Sequence, residues 1–125
     1  MDSLAPQDIA TQFAEKYYSD FQADRVAFVQ LFYREVSNLT FESSTYQGIG
    51  PIGQKWTEDF LKNAKLKVTT TDAQRGPPGF VIVLVTGLIQ LSENDAPMNF
   101  AQSFTLAIDA GGVFCLNDIF KLVYG

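Results

Sequence analysis

The stretch FVIVLVTGLIQL, residues 80–91, is apolar at odd and even positions alike, apart from Thr86, Gly87 and Gln90. Successive strand residues point to opposite faces of a sheet, so this segment reads as one long strand with apolar side chains on both faces and no face left for water. Strong turn signals bracket it. Gly76-Pro77-Pro78-Gly79 precedes it and the polar run Ser92 to Pro97 follows it. Further strands read out around this one: a Thr-rich segment at 66–73, another at 100–108, a turn at 109–112 and a closing strand at 113–124. Upstream the period changes. Ile9, Phe13, Tyr17 and Phe21 recur every four residues, which predicts a helix over 7–22 with Pro6 in its first turn. Asp24 is placed to cap a second helix whose apolar side is Val26, Phe28, Val29, Leu31 and Phe32. A short strand at 39–43 and a break at 48–51 lead to a third helix over about 52–61, with Trp56 and Phe60 on one face and Trp56 anchoring it to the sheet.

Helices first and antiparallel strands afterwards is the order of an α+β fold. The expectation is a curved antiparallel sheet packed on three N-terminal helices, as one domain spanning 1–125. One sheet face covers the helices. The other is read as too apolar to stay wet, so a second copy of the chain is its natural cover.

Composition narrows the function. A net charge of −5 disfavours a nucleic-acid binder or adhesion to an anionic membrane, and suits a basic protein partner. The lone cysteine, Cys115, rules out a disulfide within the chain and reads as a small buried hydrophobe. No apolar run is long enough for a membrane helix, and no signal peptide or basic import signal is visible. The absence of histidine removes Ser-His and Cys-His nucleophile pairs and the commonest ligand of zinc, so neither metal nor cofactor is expected.

Several segments, taken in order, carry a resemblance: Tyr17-Tyr18 with Phe21 and Asp24-Arg25; Leu39-Thr40-Phe41-Glu42 with Gln47-Gly48 and Ile52; Thr69 to Gln74; and Asn117-Asp118-Ile119-Phe120-Lys121-Leu122. Nearly end to end, the chain resembles the nuclear transport factor 2 family. The resemblance implies a cone-shaped α+β barrel, a homodimer through the sheet, and a cavity at the open end of the cone. It also implies a non-enzymatic carrier that binds the GDP form of the GTPase Ran and, weakly, the Phe-x-Phe-Gly repeats of nucleoporins, moving between cytoplasm and nucleus through the pore.

Residue by residue, the resemblance assigns Ran binding to Phe41, Glu42, Glu93 and Asp95. Phe41 stands where many relatives carry Trp, and would receive an apolar side chain of the GTPase switch region. Glu42 would pair with basic residues. Glu93 and Asp95 keep the one-residue spacing of an acidic pair in relatives. The nucleoporin contact maps near the start of the first helix, where an aromatic common in relatives is replaced by Pro6, with Leu4 as a substitute. Phe41 and Glu42 are adjacent, so both serve one cavity only if the strand ends or bulges between them.

Asp118 falls on an apolar strand face, beside Phe114, Leu116, Phe120 and Leu122. It reads either as an acid–base group or, the favoured alternative, as a structural hydrogen-bonding residue. Two rival functions remain at this stage. One is an isomerase-like cavity enzyme of the same fold, using Tyr17, Glu42 and Asp118. The other is a nucleoporin-binding domain of an RNA export factor.

Overall fold

The computed structural model describes residues 5–124. Two helices come first, α1 (Pro6–Ala23) and α2 (Arg25–Phe32). The hairpin β1 (Asn38–Phe41) and β2 (Ser44–Gln47) follows, then α3 (Ile49–Trp56) and a single 3-10 turn at Asp59–Leu61. Four long strands complete the chain: β3 (Lys65–Arg75), β4 (Phe80–Gln90), β5 (Met98–Asp109) and β6 (Gly112–Val123).

The α+β expectation of a curved sheet on three helices holds. The six strands form one sheet in the order β2-β1-β6-β5-β4-β3. It is mixed rather than wholly antiparallel, because β1 runs parallel to β6, with Asn38 opposite Asn117 and Phe41 opposite Phe120. It does not close: β2 and β3 are its edges. Curvature has a local source. Val68 opposes Gly87 but Thr70 opposes Thr86, so Thr69 is an extra residue in β3, and a bulge of this kind bends a strand. Gly87 lets the two backbones approach there. A Cβ on it would sit 2.1 Å from the Lys67 carbonyl oxygen and 2.9 Å from the Phe100 ring.

Every fourth residue of α1, from Ile9 through Phe13 and Tyr17 to Phe21, is buried against the sheet together with Ala10, Ala14 and Tyr18. Asp24 ends α1 and starts α2. Its carboxylate accepts from Ala27 N at 3.1 Å, a cap worth about 1 kcal/mol. In α2 only Phe28, Val29 and Phe32 are buried. Val26 and Leu31, expected on the apolar side, are exposed, since a helix of two turns packed on one side can hide only one stripe.

α3 starts three residues earlier than the sequence suggests. Pro51 sits in its first turn, where a missing N–H costs nothing. The helix stops at Trp56, so Trp56 is buried while Phe60, on the following turn, is half-exposed. The segment read as one strand over 39–43 is the first half of a hairpin.

In β4 the inward residues Val81, Val83, Val85 and Ile89 are buried. The outward face is less uniformly apolar than expected. Ile82 and Leu84 on β4 and Ile119 on β6 remain 43%, 47% and 52% exposed. Ser103 lies between Leu84 and Ile119 in the cross-strand row, and Thr70 is hydrogen-bonded to Thr86 beside it.

Candidate functional site

Glu42 and Ser43 are the two loop residues of the β1–β2 hairpin, with Phe41 opposite Ser44. Both have positive φ, 49° and 85°, as a tight hairpin turn of this size requires. Neither is the Gly or Asn that usually marks such a turn, so the hairpin leaves no sequence signal. The turn answers the geometric question about Phe41 and Glu42: the strand ends between them. The Phe41 ring turns inward, 5.1 Å from Phe120 and parallel to it, and edge-on to Trp56 at 5.6 Å. It is buried, and the Lys55 ammonium lies 4.6 Å from its centroid. The Glu42 carboxylate accepts from Leu122 N at 3.1 Å and faces the Lys121 ammonium at 3.6 Å. Its backbone N–H donates to Phe120 O. Glu42 is thus an acidic group in fixed position on the rim beside the end of β6.

The second acidic element is the turn between β4 and β5. Asp95 N donates to Ser92 O, the Ser92 hydroxyl donates to the Asp95 carboxylate at 2.8 Å, and Gln90 Nε2 donates to Asp95 O. Asp95 therefore braces the turn, and Glu93 projects at its tip into solvent. Glu93 lines an open cleft of about 570 Å³ together with Gln22, Arg25, Lys62, Lys65 and neighbours. Neither Phe41, Glu42 nor Asp95 lines that cleft.

Arg25 is the organiser of this end of the molecule, although in the sequence it stands out only as half of the Asp24-Arg25 pair. Its guanidinium lies 3.5 Å from the centroid of Phe21 and donates to the carbonyls of Phe21, Trp56 and Leu61. Burial lowers its pKa, yet a guanidinium stays charged at neutral pH. A smaller cleft with Trp56, Thr57 and Asp59 shares Arg25 and Lys62.

At the start of α1, Pro6 is half-buried as the first helical residue, and Gln7 Nε2 donates to Thr71 O at 2.7 Å. Leu4 lies outside the described residues. An apolar cleft of about 340 Å³ nearby is lined by Ile9, Pro78, Phe80, Val81 and Ile108, among others.

Asp118 is buried at the centre of a polar cluster. Tyr33 donates to its Oδ2 at 2.5 Å, Gln102 Nε2 donates to its Oδ1 at 2.8 Å, and Tyr17 approaches Oδ2 at 3.2 Å. Tyr18 donates to Gln102 Oε1 and the Trp56 indole donates to the Tyr33 oxygen. Burial pushes the carboxyl up to about 6 against the opposing pull of the Tyr33, Gln102 and Tyr17 hydrogen bonds. Asp118 lines none of the clefts, and Glu42 is committed to Leu122 N at another place. Of the trio Tyr17, Glu42 and Asp118, the fold brings Tyr17 to Asp118 and leaves Glu42 apart. Tyr33 and Gln102, the main partners of Asp118, carry no motif that marks them in the sequence.

Comparison with known proteins accords with this geometry. Residues 9–122 match the Nuclear transport factor 2 (NTF2) domain. The chain is 43% identical over 120 residues to Nuclear transport factor 2 of Emericella nidulans, covering 94% of this chain and 95% of that protein. It is 39% identical over 118 residues to the protein of the same name in Schizosaccharomyces pombe, covering 94% and 95%. Among solved structures, nuclear transport factor 2 from Cryptosporidium parvum superposes with a TM-score of 0.85 at 34% identity, covering 97% of this chain and 98% of that one. Fold, length and sequence agree, and the chain belongs to the nuclear transport factor 2 domain family.

Proposed function

We propose that this chain is a homodimeric nuclear transport carrier, a single domain over 1–125 and not an enzyme, that binds the GDP form of Ran and the Phe-x-Phe-Gly repeats of nucleoporins. The observation that carries the reading is the backbone of Glu42. A non-glycine residue at φ 49° is held there against a conformational penalty of about 1–3 kcal/mol. Gly would fill that turn position without strain, and Glu instead supplies a carboxylate fixed by Leu122 N and Lys121. An acidic side chain kept at such a position, in a chain of net charge −5, suits a basic partner surface.

In this reading Glu42, with Glu93 and Asp95 on the neighbouring turn and Phe41 behind it, forms the GTPase-facing end. The switch segments of a GTPase change with its nucleotide, so a rim fitted to one conformation selects one nucleotide state. Discrimination of about 100-fold needs only about 2.7 kcal/mol of differential binding. The nucleoporin contact is assigned to Leu4 and Pro6, and the apolar cleft that Ile9 of α1 lines would take a repeat Phe side chain weakly enough for fast release. The carrier would then work in cytoplasm, pore and nucleus.

The test is retention of purified Ran, loaded with GDP or with a GTP analogue, by the immobilised chain and by Glu42→Lys. Retention of the GDP form alone, lost in Glu42→Lys while the variant keeps its sedimentation behaviour, is the expected result. Retention of neither form by the unmodified chain would overturn the reading.

A further inference from the structure

The corner where α1 gives way to α2 holds a cation whose donors are not all used. Arg25 Nε–H donates to Phe21 O at 2.7 Å, and Nη1 donates to Trp56 O at 2.9 Å and Leu61 O at 3.0 Å. Those three bonds use the Nε hydrogen and both Nη1 hydrogens, leaving the two on Nη2. Nη2 has no partner among the described residues, yet no buried side-chain nitrogen there is left unpaired. Nη2 is therefore not fully buried, on a half-buried guanidinium already fixed by three carbonyls and the Phe21 ring.

The cleft it lines is about 570 Å³ and adds Lys62 and Lys65, both exposed and, among the described residues, without an ion-pair partner. Glu93 is the one carboxylate in the lining, against three cations, while Asp59 joins Arg25 and Lys62 in the smaller cleft they share. In a chain of net charge −5, three of the nine Lys and Arg residues gather here. Neutral donors complete the wall: Asn63, Asn94 and the Gln22 side chain, whose oxygen accepts from Leu66 N at 3.0 Å and whose NH₂ has no partner among the described residues.

We propose that this cleft is a binding site for a small phosphorylated molecule. Arg25 Nη2 supplies a pre-positioned charged donor pair, so little ordering is needed when a phosphate oxygen arrives. Lys62 and Lys65 add mobile point charges on either side of Asn63-Ala64. The amide side chains suit the polar body of such a ligand, and the cleft volume leaves room for more than the phosphate itself. The inference does not require the carrier reading. A chain that takes up a phosphate compound but no GTPase keeps this site and loses that function.

The experiment is a titration of the whole protein with inorganic pyrophosphate at constant ionic strength, followed by ¹H–¹⁵N correlation spectra, with citrate as a control of similar charge. Saturable shifts are expected at the Arg25 side chain and at the amides of residues 62–65 and 92–94. Lys62→Gln/Lys65→Gln, which touches only exposed and unpaired side chains, is expected to weaken binding about tenfold. Glu93→Gln is expected to tighten it by removing the one repelling charge. Linear shifts spread over other surface cations such as Lys67, equal in the double variant, would mean screening only and overturn the site. Citrate binding as tightly as pyrophosphate would overturn its assignment to phosphate.

Discussion

Asp118 is one carboxylate whose every hydrogen bond can be counted. Tyr33 gives its only proton to Asp118 and accepts from Trp56 and Tyr17, while the two amide hydrogens of Gln102 go to Asp118 and Tyr17. The arrangement needs Asp118 as an acceptor, so protonation would force a hydroxyl to turn round. Its folded pKa of about 6 lies above the ordinary value of 3.8 because burial disfavours the charge. An acid whose pKa is raised on folding contributes stability that is complete below its unfolded pKa and is lost as pH rises through the folded one. Between pH 4 and pH 7 the stability of the native chain relative to Asp118→Asn should therefore fall by about 2 kcal/mol. Urea denaturation of both proteins at four pH values would read this directly, and a constant difference would contradict it. Strand alternation foretold that Asp118 shares an apolar face with Phe120 and Leu122, but not the bulge at Leu116, which has no opposite residue in β5 and breaks the alternation with Phe114 and Leu116. It could not foretell Tyr33 and Gln102, which arrive from elements 85 and 16 residues away.

Among the elements, the pair β3–β4 is held close by the absence of a side chain. Gly87→Ala would thrust a Cβ to 2.1 Å from the Lys67 carbonyl oxygen, and no rotamer relieves a clash with backbone. A loss of about 3 kcal/mol is expected, seen as a lower urea midpoint with the slope preserved; an unchanged midpoint would show that the bulge at Thr69 yields freely. The long elements were legible because their patterns are sustained, as in the four-residue spacing from Ile9 to Phe21 and the long apolar run of β4. The short ones were not. Glu42-Ser43 turns a hairpin without Gly or Asn, Pro51 looks like a break yet starts a helix, and Val26 and Leu31 lengthen an apolar pattern the packing does not use. The site divides the same way. Acidic Glu42, Glu93 and Asp95 could be named from the chain, but Arg25, Lys62 and Lys65 meet only through the folded corner.

For the whole molecule, the outward sheet face is where the proposed dimer would form. Ile82, Leu84 and Ile119 present an apolar stripe among Thr and Ser side chains, which suits burial against a second copy. Leu84→Glu would place a charge in that stripe, where burial against a second copy would leave it without a partner. The expected outcome is a monomer in analytical ultracentrifugation with an unaltered circular dichroism spectrum; a persisting dimer would move the interface elsewhere. The parallel pairing of β1 with β6 bears on how the chain comes into being. During synthesis β1 leaves the ribosome about 80 residues ahead of the segment 117–120 that flanks it. At ordinary elongation rates that is a wait of about 4–16 s. Throughout it the hairpin is unpaired along one edge, and α2 lacks its contacts with β6. The nascent chain is therefore most open to chaperones and to aggregation in those seconds, and its folding is completed by the last strand made.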